Sequence, residues 1–317
     1  MTISVVIPTI NRAESLVRTL RSVLVNTLLP QEIIVIEQGD AECTKEKIAE
    51  ELMASSSVAL QVVFQKTKSA SQARQTGADL ASGELICFLD DDITIAPDYL
   101  ACAHAFINAH PNVLGLTGAY QHVPRFGLKK LIAIFFGIYA WRGTNRVLPS
   151  GSYDFIRGKK LEKEQSIEFL YGCNMVLRKQ VFTEGFSFPP SFIYGSFGED
   201  VFFSYKIHQA YPGCLWYLPT LHVMHHSEEQ TVSVSSERIR MKIVYRFLFW
   251  SQIASDGSWK SLLMYVWSQV GMSLFDFVQT PRWRTVCTLF DTYLFVAKHH
   301  KRLTEETIDF NAFIFSS

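Results

Sequence analysis

Through the first 120 residues, short apolar β-branched runs alternate with segments of helical spacing, which restricts the chain to α/β folds. Strands are expected at Ile3–Pro8, Glu32–Ile36, Leu60–Phe64 and Leu85–Leu89. Between them, Leu16, Leu20, Val23 and Leu24 recur at helical spacing, Lys45–Met53 forms a second helix, and Ser71–Ala81 a third, ended by Gly83. Asn11 followed by Glu14 has the form of a capping box, and Pro97 opens a helix with Leu100, Ala103 and Ile107 on one face. Further on, the pattern predicts strands at Val113–Tyr120, Phe169–Leu177 and Leu215–Leu218, and a helix over Glu199–Gln209. The expectation is a Rossmann-like, mostly parallel central sheet with helices on both faces.

Three adjacent acids, Asp90-Asp91-Asp92, follow the fourth strand. Carboxylates this close raise one another's pKa unless water or a cation screens them. They sit at a strand C-terminus, where open α/β sheets bind ligands. Hard divalent cations such as Mg²⁺ or Mn²⁺ favour such a pair, with substrate phosphates completing the shell. A solvated acidic turn before the next helix is the competing explanation.

Thirty Lys and Arg balance thirty Asp and Glu, which argues against general nucleic-acid binding. The balance is uneven, because eight basic residues and one acid fall between Arg125 and Lys160. Such a stretch suits a diphosphate or a lipid-headgroup surface, or is a solvated loop. The six cysteines lack any CxxC pair and read as reduced, mostly buried thiols of a cytoplasmic protein. The N-terminus enters a strand at once, without the pattern of a secretory signal. Ser261–Phe275 is uncharged but too short to span a bilayer. Leu128–Trp141 is expected to be a helix apolar nearly all round, hence buried or in contact with lipid.

From about Arg238 the chain turns helical, aromatic and basic. Leu263, Val266, Trp267, Val270, Leu274 and Phe277 form one stripe, with Ser261, Ser268, Gln269 and Asp276 mainly opposite. A membrane interface, packing on the main domain and a homodimer are all compatible with that pattern.

Six short motifs then occur in order: Ser4–Arg12, Ile34–Asp40, Ala70–Gly77, Phe88–Asp92, Gly172–Met175 and Gly198–Asp200. Together they resemble the inverting family 2 glycosyltransferases of GT-A fold, over roughly residues 3 to 227. The resemblance implies metal-dependent transfer of a sugar from a nucleotide-diphosphate sugar to an acceptor hydroxyl, in assembly of a cell-surface or exopolysaccharide glycan. It assigns Asp92 as the main metal ligand, Asp90 as its companion and His225 as a third ligand, with Asp91 beside the donor. Pro8, Thr9, Asn11 and Arg12 line the base and phosphate pocket. Arg74, expected to be exposed, contacts the base or diphosphate. Glu37 stands where the family usually has Asp accepting from the base. Asp200 is the matching general base and Glu199 an acceptor-orienting group; acids at a helix N-terminus are also favoured by the dipole alone.

The QxxRW motif of processive synthases is absent, which favours one sugar per encounter. The expected layout is a GT-A domain over 1–230, with a nucleotide-sugar half to about 120 and an acceptor half beyond it, and a helical extension over 231–317. The partners implied are a nucleotide-sugar donor and a glycan or lipid-linked glycan acceptor, met in the cytoplasm or at the inner face of the membrane. Two other readings stand beside this one. A sugar nucleotidyltransferase would need a Gly-rich phosphate loop that is missing, and a non-catalytic nucleotide-sugar-binding scaffold would not need Asp90, Asp92 and Asp200 together.

Overall fold

The computed structural model describes residues 1–52, 58–120, 128–141, 143–155, 163–194, 197–226 and 235–316. The strands in chain order are β1 (Ile3–Thr9), β2 (Glu32–Glu37), β3 (Ala59–Phe64), β4 (Leu85–Leu89), β5 (Ile93–Ile95) and β6 (Gly115–Tyr120). They continue with β7 (Arg146–Val147), β8 (Tyr153–Asp154), β9 (Gln165–Ile167), β10 (Asn174–Arg178) and β11 (Leu215–His225). The helices are α1 (Ala13–Leu24), α2 (Ala41–Leu52), α3 (Ala70–Leu80), α4 (Tyr99–Ala109), α5 (Leu128–Phe135) and α6 (Gln180–Thr183). After these come α7 (Glu199–Ala210), α8 (Ser236–Phe249), α9 (Trp259–Gln279), α10 (Trp283–Thr304) and α11 (Phe310–Ile314).

The chain divides into two compact units, one of residues 1–124 and 157–228, the other of 125–156 and 229–317. The segment 125–156, assigned from the sequence to the acceptor half, thus belongs with the C-terminal helices.

The first unit is a mixed α/β layer built on a sheet of order β3-β2-β1-β4-β10-β6-β11-β5, with β9 on β11. β1 pairs in parallel with β2 and β4, and β2 with β3. Beyond β4 the sheet is mixed: β10 enters antiparallel between β4 and β6, β6 and β11 pair in parallel, and β5 and β9 lie antiparallel on β11. β1 and β4 are covered on both faces, as strands between helix layers are: every residue of both is buried. α1 buries Leu16, Val17, Leu20 and Val23 and turns Arg18 and Arg21 to solvent. Gly77 lets α3 lie close on β1, since a Cβ there would stand 2.2 Å from a methyl carbon of Val6. α3 starts on a cap, the Ser69 hydroxyl accepting from the Gln72 amide at 3.1 Å.

Several local expectations change. Phe169–Leu177 is not one strand: β10 begins only at Asn174, after a turn that carries Gly172. The last strand runs to His225, with an irregularity between Leu218 and His222. The expected helix over Leu128–Trp141 ends at Phe135, and Leu131, Ile132 and Phe135 are exposed. The Asn11 capping box does not form, because Asn11 adopts φ +52° and its side chain accepts from the Asp40 amide at 2.8 Å instead. Of the cysteines only Cys87 and Cys214 are buried, while Cys43 and Cys287 are exposed.

In the second unit, α8 buries Ile239, Ile243, Val244, Tyr245 and Leu248, among others. α9 and α10 are reversed. The buried side of α9 is Ser261, Tyr265, Ser268, Gln269, Gly271 and Asp276. That of α10 is Thr285, Thr288, Thr292, Val296 and Leu303. Polar bonds replace packing there: Lys242 Nζ to Asp276 at 2.7 Å, Trp250 Nε1 to Ser261 at 3.0 Å, and the Ser273 and Tyr293 hydroxyls at 2.9 Å.

Candidate active site

The acids after β4 point three ways. Asp91 is buried: its carboxylate accepts from the Thr9 hydroxyl at 2.6 Å and from Arg12 at 2.9 Å. Burial pushes its pKa up, against the pull of Thr9 and Arg12. Its backbone carbonyl and that of Ile93 both accept from the Thr19 hydroxyl, at 2.9 and 2.7 Å. Asp91 is therefore the anchor of the turn, and its two neighbours are left partly open to solvent.

Asp90 and Asp92 are only partly covered. The Asp90 amide donates to the Cys173 carbonyl at 3.1 Å, and the His226 amide donates to the Asp92 carbonyl at 2.7 Å. The second bond, with the β5–β11 pairing of Ile93 and His225, brings the end of β11 to the acids. His225 Nε2 lies 3.3 Å from Asp92 Oδ1. Ligand atoms of Asp90, Asp92 and His225 all fall within 4.8 Å of one another. Two carboxylate oxygens and an imidazole nitrogen suit Mn²⁺ or Mg²⁺, and two negative charges balance a divalent ion. His226 makes a different contact, its ring nitrogen 3.0 Å from the Thr94 hydroxyl, and His222 is exposed.

Arg74, expected on the surface, is only 4% exposed. One guanidinium nitrogen donates to Glu199 at 2.7 Å and the other to Asp90 at 2.9 Å. Burial works against its charge, but Asp90, Glu199 and Asp200 outweigh that and its pKa is raised. The side chain turns inward because helix α3 is drawn onto β1 at Gly77 and three acids converge on it. Arg74 thus connects the carboxylates after β4 to those that open α7.

Glu199 is buried, and its carboxyl is pushed up to about 7 by burial and then by Asp200, against the attraction of Arg74. Asp200 is half-buried and held by two amides: Gly172 N–H to Oδ2 at 2.7 Å and Val201 N–H to Oδ1 at 2.8 Å. Burial raises its pKa as well, against Arg74 and those two amides. A Cβ on Gly172 would lie 3.1 Å from Asp200 Oδ2 and 3.2 Å from Arg74, so a side chain there would press both groups back by a few tenths of an ångström.

Thr9 and Arg12 stand beside the acids, Arg12 also reaching Asp92 at 3.2 Å, while Pro8 is buried within β1. Glu37 departs from the expected base-facing carboxylate. It is fully buried, and one oxygen accepts from the Asn11 and Gly39 amides at 3.0 and 2.7 Å. The other accepts from the Thr44 hydroxyl at 2.7 Å. The longer side chain folds back on the turns after β1 and β2.

Two supports escaped the sequence reading. Thr19 sits on the buried stripe of α1 and gave no signal. Asn174 is fully buried, and its Oδ1 accepts from the Gly118 amide at 2.6 Å, fixing β10 against β6. An asparagine directly after Gly172-Cys173, at the start of a buried strand, is the signal that could have found it.

This sheet, with paired acids after β4 facing an acid at the start of α7, is the framework of a nucleotide-sugar transferase of GT-A type. The family model described as glycosyl transferase family 2 matches residues 4–186, and the chain belongs to that family. It is 28% identical over 120 residues to glucosyl-dolichyl phosphate glucuronosyltransferase of Haloferax volcanii, covering 37% of this chain and 38% of that protein. Validoxylamine A glucosyltransferase of Streptomyces hygroscopicus is 32% identical over 126 residues, 38% of this chain and 27% of that protein. The chain therefore spans well under half the length of these curated relatives. Among solved structures, S. aureus TarS 1-349 in complex with UDP-GlcNAc matches at TM-score 0.61, 16% identical over 92% of this chain and 79% of that one. The mannosyltransferase PcManGT from Pyrobaculum calidifontis, in complex with GDP-Man and Mn²⁺, matches at TM-score 0.56, 14% identical over 96% of this chain and 83% of that one. At these identities the solved structures show the fold alone.

Proposed function

We propose that the chain is a metal-dependent, inverting glycosyltransferase that moves a sugar from a nucleotide-diphosphate sugar to an acceptor hydroxyl. The observation that carries this is the convergence of Asp90, Asp92 and His225, within 4.8 Å of one another, with Arg74 joining Asp90 to buried Glu199, next to Asp200. A bound Mg²⁺ or Mn²⁺ would neutralise the donor diphosphate and make it a better leaving group. Asp90, Asp92 and His225 are the residues that would hold it, and Thr9 and Arg12 keep Asp91 and Asp92 in place beside it.

Asp200 is the proposed base. Its two amide bonds fix the carboxylate, and its raised pKa moves it closer to neutral pH, where a general base works best. It takes the proton of the acceptor hydroxyl as that oxygen attacks the anomeric carbon from the face opposite the leaving group, which inverts the configuration. Glu199, held by Arg74, orients the acceptor. The relative named for glucosyl-dolichyl phosphate supports an acceptor that is a glycan or a lipid-linked glycan, which we place in cell-surface or exopolysaccharide assembly. Among the described residues no helix is long and apolar enough to cross a membrane, and we place the contact with such an acceptor peripherally, at the inner membrane face.

The test is Asp200→Asn, which preserves size and loses the proton acceptor. Titration with UDP, GDP, dTDP and CMP in the presence of Mn²⁺ should match the wild type, while sugar transfer falls about 10²–10⁴-fold. Unchanged transfer would remove Asp200 from this role. Absence of Mn²⁺-dependent nucleotide binding by folded wild type, with Asp92→Asn no different, would overturn the metal-dependent donor site.

A further inference from the structure

An amphipathic helix in water hides its apolar stripe and shows its polar one. α9 does the reverse. Its buried side carries Ser261, Ser268, Gln269 and Asp276, with Asp276 held by Lys242. Its open side carries Trp259, Leu263, Val266, Val270, Leu274 and Val278, with Leu263 59% and Val278 69% exposed. α10 repeats the arrangement. Thr285, Thr288 and Thr292 face inward, while Trp283, Phe290 and Leu294 face outward, Phe290 67% exposed. Three residues, Thr280 to Arg282, join the helices, and the Ser273–Tyr293 hydroxyl contact sets them side by side. Between them runs an open apolar groove of about 900 Å³, walled by Leu262, Val266, Val270, Leu274, Val286 and Leu289. Two polar groups at its floor, Tyr265 Oη and Gln269 Oε1, are buried without a hydrogen-bond partner. An apolar face this large on a water-soluble surface marks an interaction site.

We infer that the outer face of the α9–α10 hairpin is a monotopic membrane surface that lies in the interfacial region of an anionic bilayer, with lipid chains in the groove. This deepens the membrane-side part of the proposed function and rests on it only for the nature of the acceptor. Charge decides the occupant. From Trp259 to Thr304 there are six basic residues and two acids, and one of the acids, Asp276, is already paired inside the unit. The exposed basic residues gather at the two ends of the hairpin: Lys260, Lys298, Lys301 and Arg302 at one, Arg282 and Arg284 at the other. Each cation near an anionic headgroup adds to binding. A second copy meeting this face through a two-fold axis would set basic ends against basic ends. Exposed Trp259 and Trp283 lie near those ends, where an amphipathic ring meets the headgroup level. Each helix is roughly 30 Å long, but neither is apolar all round, so the hairpin lies in the interface and does not span it.

The experiment is flotation of the full chain with phosphatidylcholine vesicles, with and without phosphatidylglycerol, together with tryptophan emission. Wild type should float with the anionic vesicles and its emission should shift to the blue. Leu263→Glu with Phe290→Glu changes only exposed positions and should leave the circular dichroism unaltered while weakening partitioning about a hundredfold. Arg282→Gln with Arg284→Gln should weaken it roughly tenfold at low salt. Folded wild type that does not float, or a glutamate variant that floats as well as wild type, would overturn the inference. So would a dimer in sedimentation that the glutamate variant dissolves without any vesicle binding, because a second copy would then cover the face. Nucleotide titration with Mn²⁺ on the same samples separates the two proposals. Lost flotation with intact nucleotide binding sinks only this one, and intact flotation without nucleotide binding sinks only the transferase reading.

Discussion

The two units hide polar groups for different reasons. In the first unit, buried Asp91, Glu37, Arg74 and Glu199 lie in a frame whose core is mainly aliphatic and aromatic, and each of the four has a charged or hydrogen-bonding partner. In the second, α9 and α10 bury serine, threonine and glutamine by the stripe and leave leucine, valine, phenylalanine and tryptophan outside. A buried polar residue thus has two meanings. In the sheet unit these four are charged groups held by named partners, at the proposed site. Along α9 and α10 it is the rule, and it reports on what the outside of those two helices is built to meet.

The largest effect that tests this contrast is expected at Arg74. Arg74→Ala leaves Glu199, Asp90 and Asp200 without their shared cation, and breaking a buried pair in this way costs about 3–5 kcal/mol. Urea unfolding measures it, and a loss below about 1 kcal/mol would mean the charge is not needed to hold the three acids. Next comes one substitution placed in both units. Leu20→Ala in the sheet core should cost about 2–5 kcal/mol, whereas Leu263→Ala on α9 should stay within about 0.5 kcal/mol in detergent-free solution. Equal costs would show that Leu263 is packed, and the contrast would fail.

A smaller loss is expected at Thr9→Val, which keeps the shape but leaves buried Asp91 without its hydroxyl donor, at about 1–3 kcal/mol. Transfer should fall with it, since Asp91 holds the turn between Asp90 and Asp92. The remaining effect is a slope with pH. The Glu199 carboxyl binds its proton more tightly folded, at about 7, than unfolded, near the ordinary 4.5. In that window the folded chain holds more protons than the unfolded one, so this stabilising contribution is full below about 4.5 and is lost as pH rises through 7. Glu199→Gln should flatten the fall in stability between those two values, and an unchanged slope would assign it to another group.

How much of this was readable from the chain differs from element to element. β1, β2 and β4 were legible because strands buried on both faces must be apolar throughout, and the acids after β4 were legible because three carboxylates in a row have few inexpensive explanations. The roles within Asp90-Asp91-Asp92 were not, since adjacent residues of one turn look alike until Thr9, Thr19 and Arg12 select the middle one. Arg74 read as exposed for the same reason: a helical arginine is usually on the surface, and only the convergence of three acids from β4 and α7 can hold it inside. Glu37 read as a base contact because its place in the order of motifs was right, but a side chain one methylene longer than aspartate finds the Asn11 and Gly39 amides first.

Composition, period and motif order determined the α/β class, the family, the acidic strand end and the apolar stripe of α9, because each of these is a local property of the chain. Tertiary structure decided the rest. It inserted β10 antiparallel beside β4, carried His225 to Asp92 along β11, set Arg74 between the acid after β4 and the acid that opens α7, and left the stripe of α9 on the outside. A one-dimensional pattern records which residues share a face. Which way that face turns depends on contacts between residues as far apart in sequence as Arg74 and Glu199, or Lys242 and Asp276, whose energies exist only once the chain has closed on itself.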